Sequence, residues 1–184
     1  MKKWIKWLPV YLAVIVAHAW LVTSCSKNAP SPTIKHTVEA VEIAAMLESL
    51  GVTTPNSFFA DDVYALPSEH WLANEYSESL YRFLTSFKSA TYVATENDCD
   101  NFSTLAFAFA QILHHNTPQK NKKTALAVGE IWYASLARGG VHAINVAMVW
   151  DDQTGYKIIF YEPQTQQIVQ LTQAEIAGVK YYRF

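Results

Sequence analysis

The strongest constraint on the fold is a change of period along the chain. In its final third, three runs rich in β-branched and aromatic residues follow one another: ALAVGEIWYASL, VHAINVAMVW and YKIIFYEPQT. Such runs read as strands, and DDQTG, Asp151 to Gly155, reads as the turn between the last two. The earlier part has helical spacing instead. Thr37 to Leu50 reads as a helix capped by Thr37 and stopped by Gly51. Ala73 to Ser89 carries Tyr76, Leu80, Phe83, Leu84 and Phe87 at helical intervals. A third helix begins near Cys99 and ends at Asn116-Thr117-Pro118; Phe102, Leu105, Phe107, Phe109, Ile112 and Leu113 make it apolar nearly all round, so a central buried position is expected. Thr172 is placed to cap a short helix in QLTQAEIAGV, and KYYRF reads as a last strand. Helices followed by an antiparallel sheet predict an α+β domain.

The N-terminus reads as an export signal. MKKWIKW is a positive region, LPVYLAVIVAHAWLV an apolar one, and the end, Leu21-Val22-Thr23-Ser24-Cys25, resembles a bacterial lipobox. The apolar run is short for a full span of roughly 20 residues. The expected division is a lipoprotein signal over 1–24, a polar tether over 25–35 and one domain over 36–184. Cys25 would carry the lipid, acyl chains such as palmitate, and hold the protein on a bacterial membrane. About 160 residues are enough for a single core. The net charge of −2 argues against nucleic acid as a partner, because phosphate contacts need a basic face.

With Cys25 assigned to the lipid, Cys99 is the other of the two cysteines and lacks an intramolecular partner. A lone thiol in an exported chain is either a buried, inert side chain or a reactive one. Its position is informative. If Asp98 caps the helix, Cys99 is the first helical residue, and the unpaired N–H groups there favour a thiolate. Asp98 and Asp100 oppose it by charge, so a compensating cation or imidazolium is needed. His142 follows two glycines at the start of a strand. His114 and His115 end the Cys99 helix, roughly 22 Å from the thiol; His70 remains open, and His18 and His36 lie in the signal and beside the tether. A five-residue loop at Asp151–Gly155 would set Trp150 opposite Tyr156 and His142 opposite Gln164, with Glu162 one diagonal away on the same face. Cysteine, histidine and acid in that order fit cysteine hydrolase chemistry.

The motifs D-C-D-N-F (Asp98 to Phe102), H-A-I-N (His142 to Asn145) and E-P-Q-T (Glu162 to Thr165) resemble papain-like cysteine peptidase domains of the kind at the C-terminus of the Marasmius oreades agglutinin, which have bacterial and phage relatives. The likeness covers roughly Asp61 to Phe184, including DVYALPSEHW. It implies a papain-like fold, a helical part with a central helix carrying the cysteine against an antiparallel sheet. It also implies a calcium-dependent peptidase with Cys99 as nucleophile, His142 as base and Glu162 as orienting acid. Oxygen ligands for calcium would come from Asp100, Asn101 and Gln164, with Asn101 standing where relatives tend to have a second acid. The agglutinin's sugar-binding domain has no counterpart, so lectin activity is not implied. Bacterial cell-wall endopeptidases (D-C-S-G-F) and transglutaminase-like enzymes (H-A-W, D-P-T) share the superfold and resemble the motifs in part. Peptides, peptidoglycan stem peptides and small amides are therefore all candidate substrates. The Cys99 N–H is expected in an oxyanion hole, with Asn97, Tyr64 and Trp71 as candidate second donors. The alternative is a non-catalytic surface lipoprotein using the same scaffold to bind a partner, such as a phage exclusion factor.

Overall fold

The computed structural model describes residues 29–86, 90–93, 98–116 and 124–184. The signal, Cys25 and Asn97 lie outside the described residues.

Strand β1 (His36–Glu39) leads into helix α1 (Ala40–Leu50), followed by β2 (Ser57–Phe58) and β3 (Val63–Leu66). A π-helical segment, Trp71–Tyr76, runs into α2 (Ser77–Ser86), and α3 spans Cys99–His115. The C-terminal part comprises β4 (Ala125–Leu126), β5 (Val128–Ser135), β6 (Gly140–Asp151), β7 (Gly155–Glu162), β8 (Gln167–Val169), α4 (Gln173–Ala177) and β9 (Val179–Arg183). The main sheet has the order β2-β9-β5-β6-β7-β8, and a smaller sheet the order β1-β3-β4. Strands β9, β5, β6, β7 and β8 pair antiparallel, with β2 added parallel to β9 at one edge. The architecture is α+β.

The six-stranded sheet separates two apolar layers, as the period of two along its strands requires. Ile144, Val146, Met148 and Trp150 of β6 face one side, where Ile43 and Leu47 of α1, Ile176 of α4, and Tyr64 and Phe184 complete the layer. Ala147 and Val149 face the other side, against Leu80 and Leu84 of α2 and Phe102, Ala106, Phe109 and Leu113 of α3.

Several expectations change in detail. Thr37 is not a cap, because His36–Glu39 pairs with β3 as a strand that buries Val38. Glu39 takes the cap in a reciprocal box with Glu42, and Gly51 ends α1 at φ +104°, which only glycine adopts without strain. The Ala73–Ser89 helix begins earlier, in the π-helical turn, and its described part ends at Ser86. Helix α3 is not buried all round: it lies on one face of the sheet, and Ile112 is 45% exposed. The segment 29–35, expected as a free tether, is docked. Trp71 Nε1 donates to Pro30 O at 2.9 Å, and Lys35 Nζ sits 4.2 Å from the centre of the Trp150 ring. Its prolines and polar residues hid this, because the contacts are made by residues more than thirty positions away. No described helix is long and apolar enough to cross a membrane.

Candidate active site

Cys99 opens α3, half-buried and with a free thiol. Asp98 has extended backbone and forms a reciprocal box with Asn101: the Asp98 carboxylate accepts the N–H of Asn101, and Asn101 Oδ1 accepts Asp98 N at 3.2 Å. The turn is therefore fixed by its own side chains before any tertiary contact. The Asp98 carboxyl, hydrogen-bonded beside Asp100, and partial burial push the Asp100 pKa up.

The sheet anchors this turn by a buried acid that the motifs did not single out. Glu130 of β5 is 2% exposed and accepts from Ser103 Oγ at 3.1 Å and Thr104 Oγ1 at 2.7 Å, and it pairs with Arg183 of β9. Asn145 of β6 donates to Ser103 O at 2.9 Å and to Gly129 O at 3.0 Å. Further along, Gln111 Nε2 bonds Leu126 O and Val128 O. Helix α3 therefore runs antiparallel to β5, and Cys99 stands at the end of the sheet where β6 begins. A lone acid inside VGEIWYAS was the available signal for Glu130, since strands buried on both faces carry a charge only when it is paired.

The β6–β7 hairpin has the register expected from its turn, with Trp150 opposite Tyr156 and Asp151 opposite Gly155. It brings His142 and Glu162 together: His142 Nε2 lies 2.7 Å from Glu162 Oε2, with both side chains buried. Tyr133, the β5 partner of His142, packs edge-on with ring centroids 5.8 Å apart. Burial, then the charge of Glu175, raises the Tyr133 pKa. Among the described residues, His142 Nδ1 is buried and has no hydrogen-bond partner, the Cys99 sulfur included. His142 is an odd number of residues from Asn145, so strand alternation turns its side chain to the face away from α3. The described residues thus show a built imidazole–carboxylate pair and a half-buried thiol at the same end of the sheet but on opposite faces, without a bond between them.

The expected oxyanion donors Tyr64 and Trp71 are committed elsewhere. Tyr64 is buried among Phe59 and Phe184, with its hydroxyl accepting Asp61 N at 3.1 Å; Trp71 Nε1 is taken by Pro30 O. His70 contacts Asn74, and His114 Nε2 lies 2.9 Å from Thr124 O at the far end of α3.

The oxygens implied for calcium do not fit one site. Asn101 Oδ1 already accepts the Asp98 N–H, and Gln164 Oε1 accepts from both terminal nitrogens of Arg138 at 3.3 Å. A cation would have to approach Gln164 against a guanidinium. Among the described residues, no group of three or more His, Cys, Asp or Glu side chains is placed to hold a metal.

Comparison with family models and with curated proteins finds no match. Among solved structures, several chains share the fold. A PSL1a–E64 complex matches with a TM-score of 0.59 and 19% identity over 82% of this chain. Polyporus squamosus lectin bound to a human-type influenza-binding epitope matches with a TM-score of 0.58, also at 19% identity over 82% of this chain. The chain spans about half the length of each, 52% and 50%.

Proposed function

We propose that the protein is a cysteine hydrolase of amide bonds, with Cys99 as nucleophile, His142 as base and Glu162 as the acid that orients it. The observation that carries this is the state of the His142 ring. Its Nε2 is held by a buried carboxylate and its Nδ1 is buried with no partner. Glu162 accepts from Nε2–H, and that selects the tautomer whose Nδ1 lone pair is free to take a proton. A buried nitrogen without a partner costs about 1–3 kcal/mol, and a thiol proton drawn to it would recover that cost.

In this reading Nδ1 removes the Cys99 proton, and the thiolate attacks an amide carbonyl. The tetrahedral oxyanion is stabilised by the Cys99 N–H at the start of α3, and the imidazolium returns its proton to the leaving amine. Water, activated by the same ring, then cleaves the thioester. The dyad geometry requires the thiol to reach Nδ1 at the end of the sheet. Because the His142 side chain leaves the sheet face opposite α3, the reading requires the Cys99 turn or the ring to swing around the open end of the sheet when substrate binds. Export and lipid anchoring at Cys25 place the activity at a bacterial membrane surface, with peptides or peptidoglycan stem peptides as substrates. PSL1a, one of the structural neighbours, is complexed with E64, an epoxide that alkylates thiols, and this supplies a reagent.

The test is a fluorogenic peptide library with wild type and Cys99→Ala. Hydrolysis by wild type and its loss in the variant, with a melting temperature within about 2 °C, support the proposal. Turnover that survives the substitution rules the mechanism out. A binding scaffold without catalysis is the second reading, favoured by the missing sulfur–imidazole bond; it predicts no hydrolysis by either protein.

A further inference from the structure

Glu162 is not held by His142 alone. Arg138, in the turn between β5 and β6, sets Nη2 3.5 Å from Glu162 Oε2 and both terminal nitrogens 3.3 Å from Gln164 Oε1. The turn fixes the arginine locally: Arg138 N donates to Ser135 Oγ at 3.3 Å, Gly139 N donates to Ser135 O at 3.1 Å, and Gly139 takes φ +68°. The Glu162 side chain is 8% exposed, whereas Arg138 is 45% exposed and lies over it from the solvent side.

Around the imidazole, β7 contributes Glu162, β5 contributes Tyr133 and α4 contributes Glu175. Two carboxylates, Glu162 and Glu175, therefore act on the ring, and a thiolate formed beside it would be opposed by their charge. Among the described groups in contact with Glu162, Arg138 is the fixed positive charge. A guanidinium suits this place because its planar fork engages a carboxylate and an amide oxygen together, and its charge does not titrate in the working range.

We propose that Arg138 is a positioning residue that supplies, from within the chain, the positive charge that the family resemblance assigns to calcium, so that the site works without a metal ion. This rests on the triad reading given above. Gln164, the oxygen donor a cation would need beside Glu162, is turned to Arg138 instead. The arginine holds Glu162 on the His142 side of the hairpin and offsets the acids that face the ring.

The experiment compares wild type, Arg138→Lys and Arg138→Met with and without calcium. One arm measures the rate of Cys99 alkylation by E64; the other measures melting temperature and calcium-binding heat in a Cys99→Ala background, which needs no activity. Wild type is expected to alkylate at the same rate in calcium and in chelator, within about twofold, and to give no binding heat. Arg138→Met is expected to slow alkylation by about tenfold or more, with Arg138→Lys recovering much of the rate and of the melting temperature. Calcium stimulation or calcium-binding heat in wild type overturns the proposal, as does a methionine variant equal to the lysine variant. A Cys99 that is inert in every protein fails the triad reading instead, and the lysine–methionine comparison of melting temperatures then still decides whether charge at Arg138 matters.

Discussion

Single side chains in this protein do most when they serve the backbone nearby. Asp151 is the clearest case: its Oδ1 accepts Gln153 N at 2.9 Å, Thr154 N at 2.8 Å and Thr154 Oγ1 at 3.1 Å. Those bonds hold its pKa below the usual carboxylate range and set the turn that registers His142 against Glu162. A carboxyl with a lowered folded-state pKa stabilises the fold above the unfolded value, and that contribution disappears as pH falls through the folded value. Asp151→Asn is therefore expected to lower the melting temperature at pH 7, and the difference from wild type should shrink to nothing in strong acid. A difference that is constant with pH would mean that the turn is held by its shape and not by the charge. Glu130 and Arg138 act at longer range, each a charged group whose partners come from distant parts of the chain.

At the scale of elements, helix α3 and the hairpin β6–β7 were legible because their signals are local. Asp98 before Cys99, and the apolar residues that follow, specify a capped helix; DDQTG between two apolar runs specifies the turn and hence the register of two strands. The short strands β2, β3 and β8 were not legible, because Ser57–Phe58, Val63–Leu66 and Gln167–Val169 are too brief to show a period and exist only by pairing with distant partners. The same holds for the site. His142 and Glu162 could be paired from the turn alone, whereas Glu130, Arg138 and Arg183 carry no motif and acquire their roles by packing. Close packing between β5 and β9 gives an element-scale prediction. A Cβ at Gly129 would stand 2.1 Å from Arg183 O, which is backbone and cannot swing away. Gly129→Ala must push β9 off β5 and disturb the Arg183–Glu130 pair that anchors α3, at a cost of about 2–3 kcal/mol by urea unfolding. A cost under about 0.5 kcal/mol would show that the strands separate freely.

Across the whole molecule, one sheet serves two layers: α1 and α4 on one face, α2 and α3 on the other. The fold class was readable from the change of period, but not the way the chain closes on itself. The segment before β1 reaches back over the α2–α3 face, where Pro30 meets Trp71 and Ile34 packs on the layer. Residues 29–35 are therefore a docked strap ahead of the first strand. Trp71→Phe removes the bond to Pro30 while keeping a smaller aromatic ring. It is expected to cost about 1 kcal/mol and to speed hydrogen exchange across 29–35 while leaving α3 protected. Unchanged exchange in the strap would show that packing alone docks it.

Catalysis as proposed depends on one transfer: the His142 ring, aligned by Glu162, takes the proton of Cys99. The most direct measurement is the second-order rate of Cys99 alkylation by E64, read by intact mass, for wild type and His142→Ala at pH 7. This transfer predicts a fall of about 100-fold or more in the variant, the size that loss of a positioned base produces. Equal rates in the two proteins, both folded, would show a thiol that reacts without the imidazole and would contradict it.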